Sequence, residues 1–129
     1  MDTQDTPTVD PVGRLLGIEL TAAEDGEAAL AMTVRPDMLN GHETCHGGII
    51  FLLGDMVMDY AVNTGNPLSV GVHAETDFVR AAEAGDRLIA SAQVKEKWGR
   101  TRLIDATVTN DDTGETVAIF RGRTRQIGK

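Results

Sequence analysis

The stretch NGHETCHGGIIFLLGDMVMDY, residues 40–60, gathers the residue types that could do chemistry. Gly47 and Gly48 lead into an apolar run. A glycine lets a ligand approach the backbone closely, because no Cβ intervenes. The first N–H groups of a helix have no internal acceptor and lie at the positive end of its dipole. A carbonyl placed at the Gly48 N–H would be polarised, and an oxyanion formed there would be stabilised. Losing one such donor typically costs about 10²–10³ in rate. A tight turn would use the same two glycines, and spacing does not choose between the two readings.

Asp55 lies seven residues beyond Gly48, about 10 Å along a helix axis. That is too far for both to act on one small group within a single chain. A second helix set alongside by a partner chain would join the acid of one to the glycine end of the other. A carboxylate in an apolar segment is costly unless bonded or paired. Its pKa therefore rises, which suits a general base or nucleophile. The plain alternative is a partly exposed helix acid. Asp59 follows one turn later on the same side, where like charges repel. It is read as an exposed acid or as a group that tunes Asp55.

His42 and His46 are four apart, with Cys45 beside them. They precede the helix and lack both a fourth clustered ligand and a His-Glu-x-x-His pattern, so no metal is expected. A Cys45–His46 nucleophile pair is disfavoured, since neighbours in extended chain point apart. His46 is expected to orient the loop by hydrogen bonding and Cys45 to pack as a small hydrophobe. Arg80, Lys95, Lys97, Arg100, Arg121, Arg123 and Arg125 form a loose basic set. Most read as solvated strand residues, and a subset could hold ligand phosphates.

The elements that must position these groups are legible. Pro11 can open a short helix that stops at Gly17. Residues 18–35 read as two strands about the Asp25-Gly26 turn, with Leu30, Met32 and Val34 on one face. From Gly47 to about Asn63, Ile50, Leu53, Val57 and Ala61 keep helical spacing, as do Phe51, Gly54 and Met58. Apolar residues cover most of the circumference, so the helix should be buried on most sides. Three or four long strands follow, with Leu88, Ala90, Ala92 and Val94 sharing a face and turns at Gly99-Arg100 and at residues 111–114. The order gives an α+β layout, a long helix wrapped by one antiparallel sheet.

The 129 residues suffice for one domain. Residues 1–9 read as a flexible tail and 10–129 as the domain. The net charge of −8 argues against a nucleic-acid partner, which would want a basic face. One cysteine precludes an intrachain disulfide and points to a reducing compartment. With no basic start or long apolar run, neither a signal peptide nor a membrane span is expected, which gives a cytoplasmic protein.

The residues of the opening stretch resemble the signature of hotdog-fold acyl-CoA thioesterases of the phenylacetic-acid-degradation type: an Asn-Gly loop, His-Gly-Gly, then an apolar helix bearing an acid. TDFVRAAEAGDRLIASAQV and TVAIFRGRTRQIG are similar to other strands of that family, so the resemblance covers roughly residues 10–128. It implies a hotdog fold and hydrolysis of an aryl- or phenylacetyl-type acyl-CoA without metal or cofactor. It implies Asp55 as the catalytic carboxylate and the Gly48 N–H as the group that polarises the thioester carbonyl. Gly47 and His46 would shape the turn, and Asn40 would line the site. It also implies dimers with a shared site, commonly paired into tetramers. Met56 and Asp59 stand where small residues are common, so both are placed near the acyl pocket. Ala81 replaces a frequent proline. Arg80 and Arg121 are the basic residues assigned to the CoA rim. Two other readings on the same fold are a hydroxyacyl dehydratase or hydratase, using His46 with Asp55, and a non-catalytic acyl-CoA-binding protein.

Overall fold

The computed structural model describes residues 9–128. A short helix α1 (Pro11–Leu15) leads into strands β1 (Glu19–Glu24) and β2 (Glu27–Thr33). A single 3-10 turn, Pro36–Met38, precedes the long helix α2 (Gly47–Asn63). Strands β3 (Ser69–Phe78), β4 (Arg87–Trp98), β5 (Thr101–Asn110) and β6 (Thr116–Gln126) complete the chain. All six strands form one antiparallel sheet in the order β1-β2-β4-β5-β6-β3. One helix wrapped by one curved sheet is the hotdog arrangement that the resemblance implies.

Local chemistry explains the boundaries. At α1, Asp10 Oδ1 accepts from the Gly13 N–H at 2.8 Å and Pro11 occupies the first turn, where its missing N–H loses nothing. The β1–β2 connection turns on Gly26 at φ +81°, a left-handed conformation that favours glycine. Period-two alternation places Leu88, Ala90 and Ala92 of β4 and Phe120, Gly122 and Thr124 of β6 in the interior. Leu30, Met32 and Val34 are buried as their shared face requires.

Some boundaries differ from expectation. β3 stops at Phe78, because the Val79 and Arg80 N–H groups both turn to the Val117 carbonyl. Residues 1–8 of the expected tail lie outside the described residues. Val9 packs against the core, and its carbonyl accepts from Arg14 Nη1 at 2.8 Å.

α2 buries Ile50, Leu53, Gly54, Met56, Val57, Met58, Ala61 and Val62. Its closest approach to the sheet runs through two glycines. A Cβ on Gly54 would overlap the Phe120 ring, and one on Gly122 would come within 2.8 Å of Met58 Sδ. Phe120 is 1% exposed and packs edge-on to Phe51, so its ring has no free direction in which to retreat. Only Gly48, Asp55 and Asp59 of α2 are exposed.

The packing at Gly54 yields a test. Gly→Ala in a helix interior ordinarily gains up to about 1 kcal/mol. Overpacking a closed core costs about 1–3 kcal/mol. Gly54→Ala should therefore lower the denaturant midpoint in urea titration; a midpoint raised by the helix-propensity gain would show that the ring yields freely.

Candidate active site

The loop before α2 is built around Asn40. Its Oδ1 accepts from the His42 N–H at 2.8 Å and the Thr44 N–H at 3.2 Å, and its Nδ2 reaches Thr44 Oγ1 at 3.1 Å. Glu43 takes φ 64° to close the loop. The backbone then docks on both sides: Cys45 N–H donates to the Ala82 carbonyl at 2.7 Å, and His46 N–H to the Met38 carbonyl at 2.8 Å. These bonds fix where the helix begins.

His46 is the N-cap of α2. Its Nδ1 accepts from the Gly48 N–H at 3.1 Å, and its carbonyl accepts from Ile49 and Ile50. The Gly48 donor is thus engaged by a side chain. The Gly47 N–H has no acceptor among the described residues. The Phe78 ring stands beside it, 3.5 Å from where a Gly47 Cβ would lie. A Cβ at Gly48 would come within 3.3 Å of the His46 ring. Both glycines therefore keep the helix start clear, one toward an aromatic wall and the other toward the capping imidazole.

Cys45 is 4% exposed while His46 is exposed, so the two side chains do point apart. Burial pushes the Cys45 thiol up to about 11. No group of three or more potential metal ligands occurs among the described residues.

Beyond the helix start, Leu52, Asp55, Met56, Met58 and Asp59 face a cleft of about 270 Å³. Its other walls are Asp10, Gly71, His73, Ile104, Gly122, Arg123 and Thr124. Asp55 has no hydrogen-bond or ion-pair partner among the described residues, and burial against the apolar wall raises its carboxyl above the ordinary range. Asp59 is raised first by burial and further by the charges of Asp55 and Asp10, against the lowering effect of a bond from Asn63 Nδ2 at 2.9 Å. Asn63 also ties the helix end to β3, since Ser69 N–H donates to its Oδ1 at 2.7 Å.

The expected residues do not all converge. Asp55, Met56 and Asp59 share the cleft. Gly47, Gly48, His46 and Asn40 cluster at the helix start, and none of them lines that cleft within one chain. Arg80 pairs with Glu115 at 3.3 Å and also donates to the Thr116 carbonyl. Arg121 forms a two-pronged pair with Asp105 at 2.7 and 2.9 Å on the outer face of the sheet. Arg123 and His73, cross-strand partners in β6 and β3, border the cleft, but alternation with the buried Gly122 and Thr124 turns Arg123 to the outer face, and His73 Nε2 lies 3.3 Å from Glu75 Oε1. The sequence reading gave Arg123 only a place in the basic set and missed His73, Phe78, Asp10 and Thr124. Only the pairing of β3 with β6, strands distant in sequence, brings Gly71 and Thr124 to α2.

The thioesterase superfamily profile matches residues 42–117, more than half of the chain. The acyl-coenzyme A thioesterase PaaI of Escherichia coli is 40% identical over 119 residues, which span 92% of this chain and 84% of that protein. The structure of the E. coli PaaI protein, from the phenylacetic acid degradation operon, superposes with a TM-score of 0.89 at 39% identity, covering 92% of this chain and 86% of that one. The TT0310 protein from Thermus thermophilus superposes with a TM-score of 0.87 at 33% identity, covering 93% of this chain and 100% of that one. The chain belongs to the thioesterase superfamily and is a thioester hydrolase.

Two tests follow from the helix start. His46→Ala should cost about 1 kcal/mol of stability, with His46→Asn recovering most of it, as read by urea titration; equal midpoints for all three proteins would remove the cap. A thiol held near 11 is about 10⁻³ ionised at pH 8, so native Cys45 should react with a thiol reagent at least about 10²-fold more slowly than the unfolded chain.

Proposed function

We infer that this protein hydrolyses acyl-CoA thioesters of the aryl- or phenylacetyl-type, with Asp55 as general base or nucleophile at a site shared by two chains. The observation that carries this is the unpartnered Asp55 carboxylate, half-enclosed in a cleft, on the very helix whose Gly47 N–H has no acceptor among the described residues. The 40% identity to an acyl-coenzyme A thioesterase supports the substrate class.

Asp55 lies about two turns from its own helix start, so the second component comes from a neighbour. Strand β3 is a sheet edge, and Leu68, Val70, Val72, Phe78 and Val79 on and beside it are exposed. An unpaired apolar edge favours addition of another strand. Pairing two β3 edges extends the sheet and sets the two α2 helices side by side. A further pairing of such dimers gives the tetramer.

In the shared site the thioester carbonyl rests on the start of one α2. The Gly47 N–H is open to it, and the Gly48 N–H becomes open when the His46 ring yields. Asn40 holds the loop that aims both groups. Asp55 of the other chain activates water or attacks the carbonyl carbon directly. The C=O π electrons move onto the carbonyl oxygen, are stabilised by the helix N–H groups, and return to expel the CoA thiolate; water attack gives the free acid at once, and direct attack gives an Asp55 mixed anhydride that water then hydrolyses. Arg123, on the outer face beside Arg121 and without an ion-pair partner among the described residues, would be free to take a CoA phosphate. Arg80 and Arg121 would first have to leave Glu115 and Asp105. The single buried Cys45 suits work in the reducing cytoplasm.

Asp55→Asn should reduce thiol release from phenylacetyl-CoA by about 10²–10⁴-fold; turnover at the wild-type level would reject the assignment. Because burial raises the Asp55 carboxyl, the acidic limb of kcat/KM should lie above the ordinary aspartate value of about 3.9. The sign for stability is the reverse of a salt-bridged acid. A raised native pKa means that ionisation opposes folding, so stability is full at low pH and falls as pH rises through that pKa. Asp55→Asn should thus keep or raise the Tm at neutral pH. Val72→Asp, at the edge strand, should convert the oligomer to monomer in sedimentation and lose activity in parallel; an active monomer would refute the shared site.

A further inference from the structure

Asn40-Gly41 is the only Asn-Gly pair among the four asparagines of the chain. Glycine brings no Cβ to shield an asparagine amide from the backbone nitrogen that follows it. The fold leaves that nitrogen open. Gly41 is exposed, its N–H has no acceptor among the described residues, and a Cβ built on it would meet nothing within 4 Å. The other three asparagines differ. The N–H after Asn63 donates to the Tyr60 carbonyl at 3.1 Å, the N–H after Asn110 donates to the Arg87 carbonyl at 2.8 Å, and Asn66 precedes Pro67, which has no N–H. The Asn40 amide is also held in one pose. Its Oδ1 accepts from the His42 N–H at 2.8 Å, the Thr44 N–H at 3.2 Å and Thr44 Oγ1 at 3.3 Å. Donors converging on a carbonyl oxygen draw charge from its carbon and stabilise charge added to the oxygen. Nδ2 donates to Thr44 Oγ1 at 3.1 Å.

We propose that Asn40 is a self-modification site, where the folded protein converts its own amide to an acid and thereby disables the helix start. A base in solution takes the Gly41 N–H proton, and the electron pair of the nitrogen forms a bond to Asn40 Cγ. The C=O π electrons move onto Oδ1 and return to expel Nδ2, which takes a proton from water and leaves as ammonia. A cyclic imide remains, and its closure within one chain needs no encounter between molecules. Water then opens the ring. Breaking the Cγ–N bond gives aspartate at position 40. Breaking the bond between the backbone carbonyl carbon and the Gly41 nitrogen gives isoaspartate, whose backbone runs through the former side chain. Aspartate lacks the Nδ2 donor and adds a negative charge to the loop that carries the helix start, where an oxyanion must be stabilised. Isoaspartate lengthens the backbone by a methylene and draws Oδ1 away from His42 and Thr44. The loop is tied too closely to absorb the extra length. Asn40 N–H donates to the Thr44 carbonyl at 2.8 Å, and Cys45 and His46 are docked on Ala82 and Met38.

The test ages the purified full-length protein in mildly alkaline buffer without denaturant. Samples are read by the mass of the peptide that contains Asn40, by isoaspartate labelling with a carboxyl methyltransferase, and by thiol release from phenylacetyl-CoA. Asn40 should convert about 10-fold or more faster than Asn63 or Asn110, and thiol release should fall in step with the converted fraction. Gly41→Ala adds a methyl group into open space, so its fresh activity should equal that of the wild type. The same methyl group crowds the attacking nitrogen, so conversion and loss of activity should both slow by about 10-fold. Conversion at Asn40 no faster than at the other asparagines would mean that the loop bonds lock the amide, and would overturn the site. Equal conversion in wild type and Gly41→Ala would overturn the route through the Gly41 nitrogen. Complete conversion with turnover unchanged would overturn the inactivation. Only the activity readout rests on the hydrolysis reading. A fresh protein that releases no thiol would reject hydrolysis, and inactivation of the helix start is then judged by a fall in the urea midpoint with conversion.

Discussion

The contact between Gly54 of α2 and the Phe120 ring of β6 sets the rest of the molecule. Without a Cβ at Gly54, the helix lies directly on an aromatic ring that is itself closed in by Phe51. Met58 settles over Gly122 one turn on. These two contacts fix both the height of the helix above the sheet and its rotation. Asp55 follows Gly54 by about 100° of helix turn. A helix face pinned at Gly54 therefore throws Asp55 to the side, toward the β3 edge, and Asp59 with it. The position of the carboxylate is thus a consequence of packing two residues with almost no side chain to spare.

The same constraint explains why the acid survives in an apolar helix. Asp55 is neither paired nor fully buried. It stands on the rim of a cleft where one side is apolar and the other reaches solvent. Burial raises its pKa without locking it to a partner, which leaves a carboxylate with free lone pairs. Two of the strand arginines are occupied elsewhere. Arg121 is held flat against Asp105 on the opposite face of the sheet, and Arg80 is held by Glu115. The outer face can then be heavily charged without quenching the group on the inner side.

The helix start is organised by different physics. There the Asn40 loop and the His46 cap satisfy backbone groups one by one, and the Gly47 N–H is left over. A cap that occupies the Gly48 N–H stabilises the resting helix and competes with any ligand carbonyl for the same proton. The stronger partner decides, and an oxyanion is a stronger acceptor than a neutral imidazole. On the proposed reading, the capping bond would serve the resting state and the oxyanion the reacting one.

The sequence by itself determined the element order, the span of α2 from Gly47 to Asn63, the interior faces of β2 and β4, and the isolation of Asp55 among apolar residues. Those features follow from local rules: alternation, helical spacing, capping residues and glycine turns act over a few positions. It also marked Cys45 as a packing residue, because neighbours in extended chain point apart and a lone thiol packs as a small hydrophobe. Tertiary structure alone decided which groups meet. The placement of β3 beside β6 brought Gly71 and Thr124 to the helix, and the ion pairs with Glu115 and Asp105 took Arg80 and Arg121 away from it. The bond from the Gly48 N–H to the His46 ring likewise depends on how the loop folds onto the helix start. Pairings between distant strands depend on long-range burial and register, which no short window of residues encodes.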